Sequence, residues 1–172
     1  MRPDRKSGTM DFLELITQNL TGTDDRFLLT MLVSMLPVIE LRGGLPFGMG
    51  LGLSLPLASV AAILGNLLPI PFLILFTRRV MAWLRRHSRM LERLVHKIES
   101  RAAAKSELVV KYKFWGLLIL VAVPLPGTGA WTGALVAAMM RLPLRRALWA
   151  IFLGVCTAAG IVAAVTLGLI AL

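Results

Sequence analysis

Three long stretches of this chain, residues 43–77, 114–140 and 147–172, contain no Asp, Glu, Lys or Arg. A helix that crosses the hydrocarbon core of a bilayer needs roughly 20 such residues, so the pattern predicts a helical, polytopic membrane protein. Within it one sequence of parts occurs twice. An apolar run of about ten residues leads into a Pro/Gly-rich break, a short apolar return, a Leu-Pro step and a long uncharged segment. At an offset of 87 positions Phe27 falls on Phe114, Pro37 on Pro124, and Leu55-Pro56 on Leu142-Pro143. The two breaks are Pro37–Pro46 and Pro124–Gly133.

Proline lacks an N–H and disfavours helix at the residue before it, and glycine weakens a helix interior. Backbone that is not helical at membrane depth is tolerated only where protein or a water-filled cavity satisfies it. Each half is therefore expected to be a re-entrant helical hairpin followed by one spanning helix, over about 55–77 and 147–170. Charge agrees. If 114–140 crossed fully, Arg141, Arg145 and Arg146 would lie opposite the basic block 78–113, against the positive-inside tendency. If it dips in and returns, both clusters share one side and the halves form an inverted repeat, a recurrent transporter arrangement. The simpler alternative is four ordinary spanning helices. The expected fold is an all-α membrane domain, 27–172, after a peripheral segment 1–26 in which Asp11–Ile16 could form a short surface helix. Repeat one is 27–77, a basic amphipathic linker helix is 78–113, and repeat two is 114–172.

Composition sharpens this. The chain has 172 residues, is 57% hydrophobic and carries a net charge of +10. Eleven of its nineteen Lys and Arg lie between Arg78 and Lys113. That block sits between apolar segments, so orientation explains it and nucleic acid is not an expected partner. Val80, Leu84, Leu91, Leu94, Val95, Ile98 and Ala102 form a stripe at helical spacing, placing the block on the cytoplasmic surface against lipid headgroups. His87 and His96 within it read as surface side chains. Cys156 is the single cysteine and supports neither a disulfide nor a metal cluster. No His, Cys or acidic pair lies in the uncharged stretches, so neither an enzyme, a metal nor a cofactor is expected.

The candidate chemistry is in the breaks. From Phe27 to Thr77 the only ionisable side chains are Glu40 and Arg42, beside Gly43, Gly44 and Pro46. A charge at the bilayer centre costs at least about 2.5–3.5 kcal/mol. One reading is structural: the pair bonds itself or free backbone groups and pins the hairpin. The other is functional: Arg42 offers a permanent donor fork for a phosphate or carboxylate, and Glu40 is the sole acid placed to couple to protons. The second break, with Pro124, Pro126 and Gly127, offers Thr128, Gly129, Trp131 and Thr132, and a half-helix starting there would present amides to an anion. Asn66 reads as an interhelical hydrogen-bond donor. Gly44, Gly48 and Gly52, and Gly160, Ala164 and Gly168, recur every fourth residue and suit a compact bundle or a homodimer.

"PVIELRGGLPFG" at 37–48 and "PLPGTGAWTGALVAA" at 124–138 resemble the small multidrug export protein family, with a likeness running from about Phe27 to Leu172. The resemblance implies transport in a bacterial or archaeal cytoplasmic membrane, with no substrate fixed. A more distant similarity, carried by Glu40 to Pro46, is to DedA/VTT-type membrane proteins. That likeness implies two re-entrant hairpins in an inverted repeat, proton-coupling acids and, for some members, polyprenyl-phosphate or lipid movement. The arginines expected near the second hairpin's proline are absent, and Pro126, Gly127 and Gly129 stand there instead. The leading expectation is a small proton- or ion-coupled transporter of an amphipathic, anionic or lipid-phosphate-like substrate. The alternatives are an exporter of small cationic drugs and a membrane scaffold or assembly factor.

Overall fold

The computed structural model describes residues 22–87, 92–93, 95–98, 100, 107–123 and 128–170. These residues are helical, with no strand among them. In chain order the elements are α1 (Thr23–Ser34), α2 (Glu40–Gly50), α3 (Leu55–Leu67), α4 (Ile70–His87), α5 (Glu107–Tyr112), α6 (Phe114–Ala122), α7 (Ala130–Met139) and α8 (Leu144–Ile170).

The first half begins with Gly22 in extended conformation, and Asp24 and Asp25 complement the N-terminal dipole of α1. Thr30 and Ser34 are fully buried on this helix. Their hydroxyls donate to the carbonyls of Arg26 and Thr30, at 2.8 and 2.7 Å, so burial leaves neither orphaned. After a short turn over Met35–Ile39, α2 runs back along α1. The pairing is antiparallel, because Gly44 faces Ser34 and Gly48 faces Thr30. A Cβ on Gly44 would fall on the Ser34 hydroxyl.

Both halves turn from their second short helix into a long one by the same device. The N–H of Gly52 bonds Met49 and that of Leu53 bonds Gly48; the N–H of Arg141 bonds Ala138 and that of Leu142 bonds Ala137. These are paired Schellman caps, with Gly52 at φ +86° and Arg141 at φ +52° in the left-handed position. A second shared device is a close crossing. A Cβ on Gly65 of α3 would strike the Met31 carbonyl of α1, and one on Gly154 of α8 would strike Val121 and the Leu118 carbonyl of α6. Gly52 and Arg141, Leu55 and Leu144, and Gly65 and Gly154 each stand 89 positions apart, two more than the offset that aligns the Leu-Pro steps.

Two helical stretches are long and apolar enough to cross a membrane: α3 with α4, 33 residues from Leu55 to His87, and α8, 27 residues. The first is interrupted only by a turn at Leu68-Pro69, where proline removes a donor. At 1.5 Å per residue each exceeds the ~30 Å hydrocarbon core. α1 packs on α3 and α6 on α8 within the halves, while α2 also packs on α8 and α7 on α4 across them. The shared core is built of Leu41, Leu45, Ile70, Ile74, Leu117 and Ile151, all at most 1% exposed.

Several boundaries differ from expectation. The first break is confined to Met35–Ile39, and Gly43, Gly44 and Pro46 are helical in α2. In the second, helix resumes at Ala130, so Trp131, Thr132 and Gly133 are helical. Pro124, Pro126 and Gly127 lie outside the described residues, as do Asp11–Ile16 and Leu91, Leu94 and Ala102 of the basic stripe. α1 starts at Thr23, before Phe27. α4 carries on past Thr77 to His87, so the first ten residues of the basic block continue the long helix rather than begin a separate one. Further along the block Val95 is buried while Arg93, His96 and Lys97 are exposed, as an amphipathic helix requires.

Gly44→Ala should destabilise the protein by about 1–3 kcal/mol through overpacking against Ser34. Gly50→Ala, facing open space, should stay within about 0.5 kcal/mol of the parent; thermal unfolding in detergent compares the two.

Candidate functional site

Glu40 is the first residue of α2 and holds a left-handed backbone, φ +50°. For a residue with a long side chain that conformation costs about 1–2 kcal/mol. It is held by helical hydrogen bonds on either side, from the Glu40 N–H to Leu36 and from the Gly43 N–H to Ile39, both at 2.9 Å. The side chain is only 7% exposed. Its carboxylate accepts the backbone N–H of Trp131 at 3.4 Å. Trp131 is the second residue of α7, so this N–H is one of the four a helix start leaves unpaired. The negative charge also lies at the positive end of the α7 dipole.

Arg42 reaches the other side of the same break. Its Nη2 donates to the carbonyl of Val123 at 3.1 Å and to the Thr128 hydroxyl at 2.8 Å. Thr128 in turn donates to the same Val123 carbonyl at 2.8 Å. Val123 closes α6, so its carbonyl is one of those a helix end leaves without a partner. The acid and base in the first turn of α2 thus bond the end of α6 and the start of α7 on either side of the second break.

Gly129 makes the approach geometrically feasible. Its φ of +128° and ψ of −172° belong to a region essentially closed to other residues, and a Cβ there would overlap the Glu40 carboxylate.

Behind the contact is a cavity of about 10 Å³, lined among others by Glu40, Arg42, Asn66, Gly129, Val155 and Ala158. That is room for roughly one water. Asn66 is 2% exposed, and its Oδ1 has no hydrogen-bond partner among the described residues. Position along the spans gives the depth. Asn66 is eleven residues from both Leu55 and Thr77, about 16 Å each way along the helix. Val155 and Ala158 stand near the middle of the uncharged part of α8. The charged contact is therefore halfway along the uncharged part of each long helical stretch.

Of the residues expected to form a site, Glu40, Arg42, Thr128, Gly129 and Trp131 come together. Trp131 contributes its main-chain N–H rather than its indole, whose Nε1 is buried without a partner among the described residues. Gly43 lies against Ile39, Gly44 is buried against α1, Pro46 is exposed and Thr132 is half-buried on α7. Two participants were not foreseen. The Val123 carbonyl leaves no trace in side-chain identity. Asn66 had a signal, a lone amide in an uncharged stretch, but it lines the cavity beside Glu40 and its oxygen has no donor among the described residues.

The family described as "Putative small multi-drug export protein" matches residues 40–161. The chain belongs to that family. The match opens on Glu40 and takes in every residue of the contact. No curated protein and no solved structure matches the chain. In this small multi-drug export family member, then, the family segment coincides with the elements that build the inter-half contact, α2 to the greater part of α8.

Gly129→Ala should cost about 1–3 kcal/mol from backbone strain, with the overlap on Glu40 added. Thr128→Val should cost about 1.5–3 kcal/mol by removing a bond to a charged group. Unfolding midpoints in detergent, with cooperativity unchanged, measure both.

Proposed function

We propose that this protein is a small membrane transporter whose two halves are inverted repeats, each a re-entrant hairpin and a spanning helix, meeting at the bilayer midplane. The observation that carries this is the contact of Glu40 and Arg42 with the opposite break, halfway along the uncharged part of both spans. It joins the halves through polar groups instead of apolar packing alone, and such a junction can be taken apart by a competing ligand or a proton. The packing pattern common to the two halves supports the inversion: each returning helix, α2 or α7, leans on the long helix of the other half. The basic ends support one orientation. Arg78, Arg85 and Arg141, from both halves, line one cleft of about 360 Å³, which the positive-inside tendency assigns to the cytoplasm.

The cavity in this conformation is far too small for an amphiphile, so transport requires the breaks to separate. An anionic headgroup would replace two neutral acceptors, Val123 and Thr128, with a charge-assisted pair on Arg42. Proton uptake by Glu40 would remove the negative charge from the start of α7 and weaken that cap. The reading is therefore a proton-coupled carrier of an amphipathic anion, of lipid-phosphate type. The family's description favours a second reading, export of small cationic drugs, in which a cation competes with the proton for Glu40. A membrane scaffold acting through the basic block is the third. The open faces of Gly160 and Gly168 on α8 suit a homodimer.

Reconstitution in vesicles with a phosphorylated polyprenol and, separately, a lipophilic cation, each with and without a pH gradient, separates these. The anion should move faster under the gradient, and Glu40→Gln should abolish that dependence. Unchanged gradient dependence in Glu40→Gln would refute coupling through this carboxylate. Movement of the cation alone would select the drug exporter. Movement of neither, with function in cells lost on charge reversal in 85–105, would select the scaffold.

A further inference from the structure

Where the uncharged part of α4 ends, its outer face passes from aromatic to cationic with no break in the helix. Phe72 and Phe76 are 71% and 67% exposed. Arg79, Trp83 and Arg86 follow at helical spacing. With Arg78 these residues line an open groove of about 910 Å³. Arg78 is also tied to the second half, donating to the Leu142 carbonyl and lining the adjoining cleft with Arg141. No Asp or Glu is among the described residues that line either space.

The chemistry narrows the occupant. A soluble anion would have no use for the phenylalanine wall. An apolar helix would leave the arginines unmatched. A second copy of this face would set arginine against arginine. What fits is a molecule with an apolar chain for the ~10 Å from Phe72 to Arg79 and an anionic head for the next ~10 Å to Arg86. Such a molecule is already present where this helix leaves the hydrocarbon. We propose that the groove binds one anionic glycerophospholipid of the surrounding bilayer, its phosphate between Arg79 and Arg86 and an acyl chain along Phe72 and Phe76. Through Arg78 the bound headgroup braces α4 against the turn between α7 and α8. The site stands independently of any transport activity.

Trp83 reports on the groove directly. In full-length protein with Trp115→Phe, Trp131→Phe and Trp149→Phe, its fluorescence is quenched by lipids brominated on the acyl chain. In phosphatidylcholine vesicles, brominated phosphatidylglycerol should quench Trp83 at far lower mole fraction than brominated phosphatidylcholine. Arg79→Gln with Arg86→Gln should weaken that preference about 25-fold, at roughly fivefold for each arginine. Both side chains are exposed, and a monodisperse elution profile confirms that the variant is folded. Arg145→Gln with Arg146→Gln removes the same charge from the same end and should change the preference less than about twofold. Equal losses in the two double variants would reduce the effect to diffuse surface charge and overturn the site, as would equal quenching by the two lipids. Relief of quenching by soluble glycerol phosphate would overturn the lipid as ligand.

Discussion

Two costs that neither half could bear alone are met by one contact. A helix interrupted inside a membrane leaves carbonyls at one end and amides at the other with no water to satisfy them. A carboxylate and a guanidinium in the same medium carry their own desolvation penalty. Here Glu40 answers the amide end of α7 and Arg42 the carbonyl end of α6, and in doing so both charges find partners. Everything else about the arrangement serves this placement. The left-handed backbone at Glu40 points the side chain across the break, Gly129 clears the space it enters, and Thr128 shares the acceptor that Arg42 uses.

The two halves are alike in backbone and unlike in chemistry. Paired Schellman caps and paired glycine crossings give them one plan, yet the ionisable groups stand beside only one of the two breaks. That asymmetry is what lets the contact be complementary: two identical charged breaks would face like with like. The contact is polar, and it is set within an apolar core that both halves share. Apolar cores repack in discrete steps, while hydrogen bonds at a junction exchange readily with a ligand or a proton.

The long helices also set the surroundings of that contact. α3 carries Asn66 beside the contact, and α4 carries Arg78 about 18 Å farther along. Two helices joined at the Leu68-Pro69 turn therefore link the buried polar centre to the arginine-bearing end.

Much of this was legible in the chain. Two of the three uncharged stretches gave helices long enough to cross a bilayer, because their hydropathy depends on composition alone. Repetition of Pro/Gly-rich segments marked where helices stop, and an isolated acid and base in such a setting marked two residues that bond across the halves. The sequence was less exact about edges: Gly43, Gly44 and Pro46 read as breakers, yet a buried, tightly paired α2 absorbs them because packing against α1 outweighs local propensity. Nor could it reveal the Val123 carbonyl, which is main chain, or that Trp131 would act through its amide. Above all, the sequence left open whether Glu40 and Arg42 would bond each other or free backbone. Their partners are some 80 to 90 positions away, and only the docking of one half on the other brings those within reach.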